Sequence, residues 1–205
     1  MSDFEQRLLL AQQGEVRAIE PPEGETGPPK IAGYAAVFNT RSELIGGSFY
    51  EEIAPGAFDD VLGQDVRGLF NHDRNYLLGR TASGTLRLAV DERGLAYEID
   101  PPDSQTVRDL VLAPLRRRDM SGSSFTFRIA DGGESWREEG GVIIRTITRI
   151  AELRDVGPVA FPAYPDAKAA QRSLEAWQQA RDEAEPGRAL NERSARAREL
   201  EILNA

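Results

Sequence analysis

The chain has 205 residues, 40 % of them hydrophobic, with a formal net charge of −9, no cysteine and one histidine. That suits one domain with tails or two small ones. It excludes disulfides, thiolate catalysis, cysteine-based zinc sites and a multi-histidine metal centre. The acidic balance disfavours general nucleic-acid binding, since phosphate attracts basic surfaces. No apolar run approaches the roughly 18 residues of a membrane span, and MSDFEQRLLL lacks the basic start and apolar stretch of a signal peptide, so a cytoplasmic location is the default expectation.

Residues 1–19 read as one strand or helix, loosely attached. EPPEGETGPPK (20–30), with four prolines and two glycines among charges, reads as a linker or exposed loop. A β-rich α+β domain is expected from 31 to 167. IAGYAAVFN (31–39) is a strand. Pro55-Gly56 marks a turn followed by a short helix near 57–63. TLRLAV (85–90) and LAYEID (95–100) alternate and are joined by the hairpin residues DERG. SQTVRDLVLAPL (104–115) shifts to helical spacing, with Ser104 as N-cap and Pro114 as its end or kink. Arg116, Arg117 and Arg118 are the one candidate basic patch; at a helix end they equally complement the helix dipole.

In MSGSSFTFRIA, Phe125, Phe127 and Ile129 alternate toward a core, which puts Ser124, Thr126 and Arg128 on the opposite face. DGGESWREEGG reads as a polar loop and VIIRTITRI (142–150) as a β-branched strand. ELRDVGPVAFPAYPDA (152–167) begins extended or as a turn and closes on three prolines. From 168 to 205 the chain turns polar and Ala/Glu/Arg-rich. It reads as two helices broken at Glu185-Pro186-Gly187, a partly solvated tail.

His72 lies in LFNHDRNYLLGR (69–80) and is the one side chain whose ordinary pKa falls near neutrality. With cysteine absent, a nucleophile must be a hydroxyl that needs a base. The candidate cluster is Ser121-Gly122-Ser123-Ser124, where small residues lead into a strand and expose backbone N–H groups of the kind an oxyanion hole uses. Ordinary turn serines give the same pattern, and nothing local links His72 to residues 52 positions away (124 − 72).

The order of five segments resembles the prohead maturation serine proteases of tailed bacteriophages: GYAAVFN; FYEEIAPGAFDDVL; the His72 segment with Leu-Gly-Arg and a hairpin ending DERGL; MSGSSFTFRI; and ELRDVGPVAFPAYPDA. The resemblance covers about residues 31–167. It implies a fold related to the herpesvirus assembly proteases, a small closed β-barrel ringed by helices, with no metal or cofactor. It aligns the family's histidine with His72, its serine with Ser124 and its acidic residue with Asp155. Asp73 competes for the acidic role and Ser123 for the nucleophile. An arginine serves the oxyanion in the related viral enzymes, which makes Arg80 and Arg128 candidates here; a surface ion pair is the alternative for both. Gly157 and Thr126 depart from the family pattern, and Thr126 is expected to narrow the groove.

The resemblance further implies an endopeptidase acting inside the immature capsid in the host cytoplasm. Its partners would be the major capsid protein precursor, a scaffold protein or segment, and the enzyme itself. No nucleic acid or membrane partner is implied, and a homodimer is an open alternative. A non-catalytic scaffold or capsid-assembly protein on the same barrel, or a β-barrel binding module with no viral role, are the competing readings.

Overall fold

The computed structural model describes residues 3–9, 16–24, 26–160 and 168–184. The chain divides into a unit of Met1–Ala167 and a second of Lys168–Ala205. The first is a β-rich α+β body of three sheets. A five-stranded sheet has the order β1 (Glu5–Leu9), β9 (Gly122–Ile129), β12 (Ile150–Val159), β5 (Arg67–Leu69) and β6 (Leu77–Arg80). A four-stranded sheet runs β2 (Arg17–Ile19), β3 (Lys30–Val37), β8 (Gly94–Ile99) and β7 (Leu86–Val90). A three-stranded sheet runs β10 (Glu134–Glu139), β11 (Val142–Ile147) and β4 (Tyr50–Ile53). Among the described strands, the β12–β5 and β11–β4 pairings are parallel. Helix α1 spans residues 105–117, and the described part of the second unit is helix α2 (Lys168–Ala184).

The closed barrel expected from the resemblance is not what these strands make: none of the three sheets closes on itself. Strands β6 and β7 follow one another, yet the 3₁₀ turn Thr81–Ser83 ends in Gly84 at φ 72° and turns the chain into a different sheet. A left-handed residue after a tight turn is glycine's role, because it has no Cβ to clash.

Alternation builds the core. Phe125, Phe127 and Ile129 of β9 pack with Ile31, Phe58, Leu78, Leu95, Ile99, Leu112 and Val156. Phe125 and Phe127 stack at 4.8 Å between ring centroids, and Phe58 meets Phe125 edge-on at 5.9 Å, in the offset and T-shaped arrangements aromatic quadrupoles favour.

Several elements differ from expectation for identifiable reasons. Residues 57–63 form successive turns, with bonds such as Val61 N–H to Phe58 O (3.1 Å) and Gln64 N–H to Val61 O (3.0 Å), rather than a helix. Ala57, Phe58 and Val61 are still fully buried. Ser104 caps α1, its side chain accepting from Val107 N–H, but Pro114 does not end that helix. A π segment at Arg108–Leu112 precedes the proline and the helix continues to Arg117; a widened turn accommodates a ring that lacks an N–H and crowds the preceding turn. The charged stretch taken for a loop is strand β10, which forms a hairpin with β11 through Gly140 and Gly141, both at positive φ. The arginine run is engaged locally: Arg116 binds Glu20 and Arg117 binds Asp119.

The N-terminal segment is not loose over residues 5–9. Strand β1 pairs antiparallel with β9 along all five residues. Glu5 and Arg7 face inward and form a buried ion cluster with Glu51 of β4 and Arg145 of β11. The closing motif at 161–167 and the second expected tail helix lie outside the described residues.

Candidate active site

Three neighbouring elements of the five-stranded sheet carry the site. Ser124 lies near the start of β9, Asp155 on the adjacent β12, and His72 in the turn joining β5 to β6. Register locks the first two: Asp155 pairs with Thr126 and Gly157 with Ser124. A bulge between Leu153 and Asp155 inserts an extra residue and re-aims the strand.

The turn is held as firmly. Asn71 and His72 both have left-handed backbone, φ 54° and 57°, a conformation that non-glycine residues adopt at a cost when surroundings impose it. Here Asn71 N–H donates to Pro158 O at 3.0 Å, and Ala160 N–H donates to Asn71 Oδ1 at 2.8 Å. The turn is thereby tied to the end of β12, and His72 is brought over Asp155 and Ser124.

His72 Nδ1 pairs with Asp155 Oδ1, its Nε2 lies 2.6 Å from Ser124 Oγ, and Thr126 Oγ1 lies 3.2 Å from Nδ1. Ser124 is 5 % exposed and Asp155 3 %. Both sit in a low-dielectric setting where polar interactions strengthen. Ser124 Oγ also donates to the Arg7 carbonyl at 2.9 Å. Its single proton serves one acceptor at a time. When it goes to Arg7, the contact with His72 requires the proton on Nε2. When Nδ1 carries the ring proton toward Asp155, Nε2 is free to accept from Ser124.

The competitors are engaged elsewhere. Ser123 is fully buried on the other face of β9 and donates to Tyr97 Oη at 3.1 Å. Burial pushes the Tyr97 phenol up beyond its ordinary range. Asp73 Oδ1 accepts from Asn75 N–H and Nδ2 at 2.8 and 2.9 Å, a local turn motif. The two arginines considered for the oxyanion are in ion pairs. Arg80 holds Asp65 through Nε at 2.7 Å and Nη2 at 2.6 Å, and Arg128 Nη2 binds Glu152 at 3.3 Å. Arg128 shares the face of Ser124 but stands four residues along, about 13 Å at the usual strand rise.

A cavity of about 500 Å³ opens beside His72, Thr126 and Asp155, with Arg67, Arg74 and Arg154 around it. A larger hollow of about 600 Å³ lies on the outer face of the four-stranded sheet, lined by Arg17, Tyr34, Arg87 and Arg93. It includes none of His72, Ser124 and Asp155, so size alone does not mark the site. The sequence did not point to the contribution of Arg7: a main-chain carbonyl leaves no signature in residue type.

Among the described residues, no group of three or more His, Asp or Glu is placed to hold a metal ion, and no helix is long and apolar enough to cross a membrane. No curated protein and no solved structure matches the chain. A family model does, over residues 12–180, a span that takes in the His72 turn, β9 and β12. The chain belongs to the caudovirus prohead serine proteases.

Proposed function

We propose that this chain is a serine endopeptidase in which Ser124 is the nucleophile, His72 the general base and Asp155 the residue that orients and charges the imidazole. The observation that carries the reading is the connected pair of contacts on one ring: Nδ1 to Asp155 and Nε2 to Ser124 Oγ at 2.6 Å. A hydroxyl is poorly nucleophilic until a base takes its proton. His72 Nε2 is within transfer distance, and the Asp155 carboxylate stabilises the imidazolium that results.

The chemistry follows. Ser124 Oγ adds to the scissile carbonyl carbon while its proton passes to Nε2. The tetrahedral intermediate collapses, the C–N bond breaks, and His72 returns the proton to the leaving amine. Water, deprotonated by the same nitrogen, then hydrolyses the ester and restores Ser124.

The membership supports a protease role in capsid maturation and contact with capsid precursors in general. The finer reading is that the substrates are the major capsid protein precursor, a scaffold protein or segment, and the chain itself, cut inside the immature capsid in the host cell. Purified full-length chain incubated with its capsid precursor tests this. Cleavage is expected with the native protein and lost with Ser124→Ala, which removes one hydroxyl and leaves the fold intact by circular dichroism. Normal cleavage by a folded Ser124→Ala protein would remove Ser124 as nucleophile, and no cleavage of any precursor by the native chain would favour the non-catalytic assembly role.

A further inference from the structure

Strand β9 has two edges. One is filled by β12, which brings Asp155; the other is filled by β1. Extended polypeptides bind proteins by adding a strand to a sheet edge, with main-chain hydrogen bonds for affinity and side-chain pockets for selectivity. An extended substrate that is to present a carbonyl to Ser124 has the β1 edge of β9 to use, and β1 is already there.

The register places that occupant over the nucleophile. Leu8 is directly opposite Ser124, and Gln6 opposite Thr126. Opposite residues of an antiparallel pair share a face, so Leu8 and Gln6 lie on the side of β9 that meets His72. The Arg7 carbonyl lies within hydrogen-bond distance of Ser124 Oγ, at 2.9 Å, and competes with His72 for its proton; Ser124 is 5 % exposed. Because ladder bonds along β9 point alternately to its two neighbours, the departure of β1 would also free a set of β9 backbone groups next to Ser124.

Two further observations mark β1 as an occupant. The family match begins at residue 12, after β1 has ended at Leu9. And β1 is held on its inward face largely by charge. Arg7 binds Glu51 (Nε–Oε1 2.5 Å), and Glu5 binds Arg145 (2.8 and 2.9 Å). If β1 leaves, Arg145 keeps Glu51 at 3.0 Å and Glu134 at 2.5 Å, so the vacated cradle retains paired charges.

We propose that the edge of β9 now held by residues 5–9 is the docking edge for an extended polypeptide substrate, and that β1 is its intramolecular occupant, displaced when substrate binds. This rests on the serine-protease reading above.

The test uses the full-length chain and a serine-reactive phosphonate carrying an extended peptide, followed by peptide-level mass spectrometry and hydrogen exchange. Modification at Ser124 is expected to strip exchange protection from residues 5–9 while β12 stays protected. Ser124 modified with β1 still protected overturns the proposal. Replacing Glu5→Gln and Arg7→Gln together should raise the labelling rate at Ser124 by about ten-fold or more. An unchanged rate in a protein that circular dichroism shows to be folded likewise overturns it. Labelling at equal rates leaves Ser124 as nucleophile and removes only the role of β1. Failure of both proteins to label at Ser124 removes the catalytic reading and this proposal with it.

Discussion

Asp155→Asn isolates the charge on the third residue of the site. The side chain keeps its shape and its buried position against His72 Nδ1, so packing changes little. On the proposed mechanism, what is lost is the negative charge beside an imidazolium that forms only as Ser124 attacks. Taking charge centres roughly 4 Å apart and an effective dielectric of about 20 gives about 4 kcal/mol of attraction. At about 1.4 kcal/mol per decade that is about a thousand-fold in rate. The amide can also turn its NH₂ toward Nδ1, which forces the proton onto Nε2 and blocks proton acceptance from Ser124; the loss then approaches the ten-thousand-fold typical of a wrong tautomer. The assay is single-turnover cleavage of a precursor-derived peptide, with thermal unfolding alongside to confirm that the midpoint is retained. A folded Asp155→Asn protein that loses less than about ten-fold would refute Asp155 as the charge partner. A large loss in Asp73→Ala would then move that role to Asp73, despite its bonds to Asn75.

Other outcomes follow from the same contacts. Ser123→Ala removes a fully buried hydroxyl from Tyr97 and should cost about 1–3 kcal/mol in urea unfolding while leaving the cleavage rate within a few-fold. Arg145→Met takes a guanidinium away from Glu134 and leaves the buried carboxylates of Glu5 and Glu51 with Arg7; breaking a buried ion cluster this way should cost at least about 3 kcal/mol, read as a lower urea midpoint. Burial raises the Glu5 carboxyl, but the hydrogen bond and charge of Arg145, with Arg7, hold it below its ordinary value. Its stabilising contribution is therefore complete above the usual carboxylate range and is lost as pH falls through the depressed value. Urea midpoints measured from neutral to acid pH should drop in that window, and Glu5→Gln should flatten the drop.

How far the sequence reaches depends on how local the cause is. The two faces of β9 were legible because period-two alternation needs no partner: Phe125 and Phe127 are buried on one side, and Ser124 and Thr126 meet His72 on the other. The meeting of residues 72, 124 and 155 was not legible from spacing, since it depends on strand pairings between distant segments; it entered through resemblance. Charged strands were the main loss. In β1, Glu5 and Arg7 look like surface residues until Glu51 and Arg145, 44 and 140 positions away, come to face them. In β10, Trp136 alone alternates against charge, and its packing on Phe49 at 5.0 Å appears only in three dimensions. The open sheets had the same origin: closure is a property of edges, and no single segment reports where an edge falls.

Gly157 shows how one backbone position sets the site. It lies opposite Ser124 in the β9–β12 register, on the strand that also pairs with β5. A Cβ built there would stand 2.0 Å from the Leu69 carbonyl oxygen and 3.0 Å from its carbon, contacts no side chain can make without moving backbone. A side chain of any kind at residue 157 therefore has no room here. The bare backbone instead lets Leu69, the last residue of β5, press directly against β12. Two residues later Asn71 bonds to Pro158 and Ala160, and the next side chain is His72. Close approach at 157 thus shortens the path from β12 to the turn. The imidazole reaches Asp155 on one strand and Ser124 on the next because the strand between β5 and β9 offers no side chain at the point where the turn must cross it.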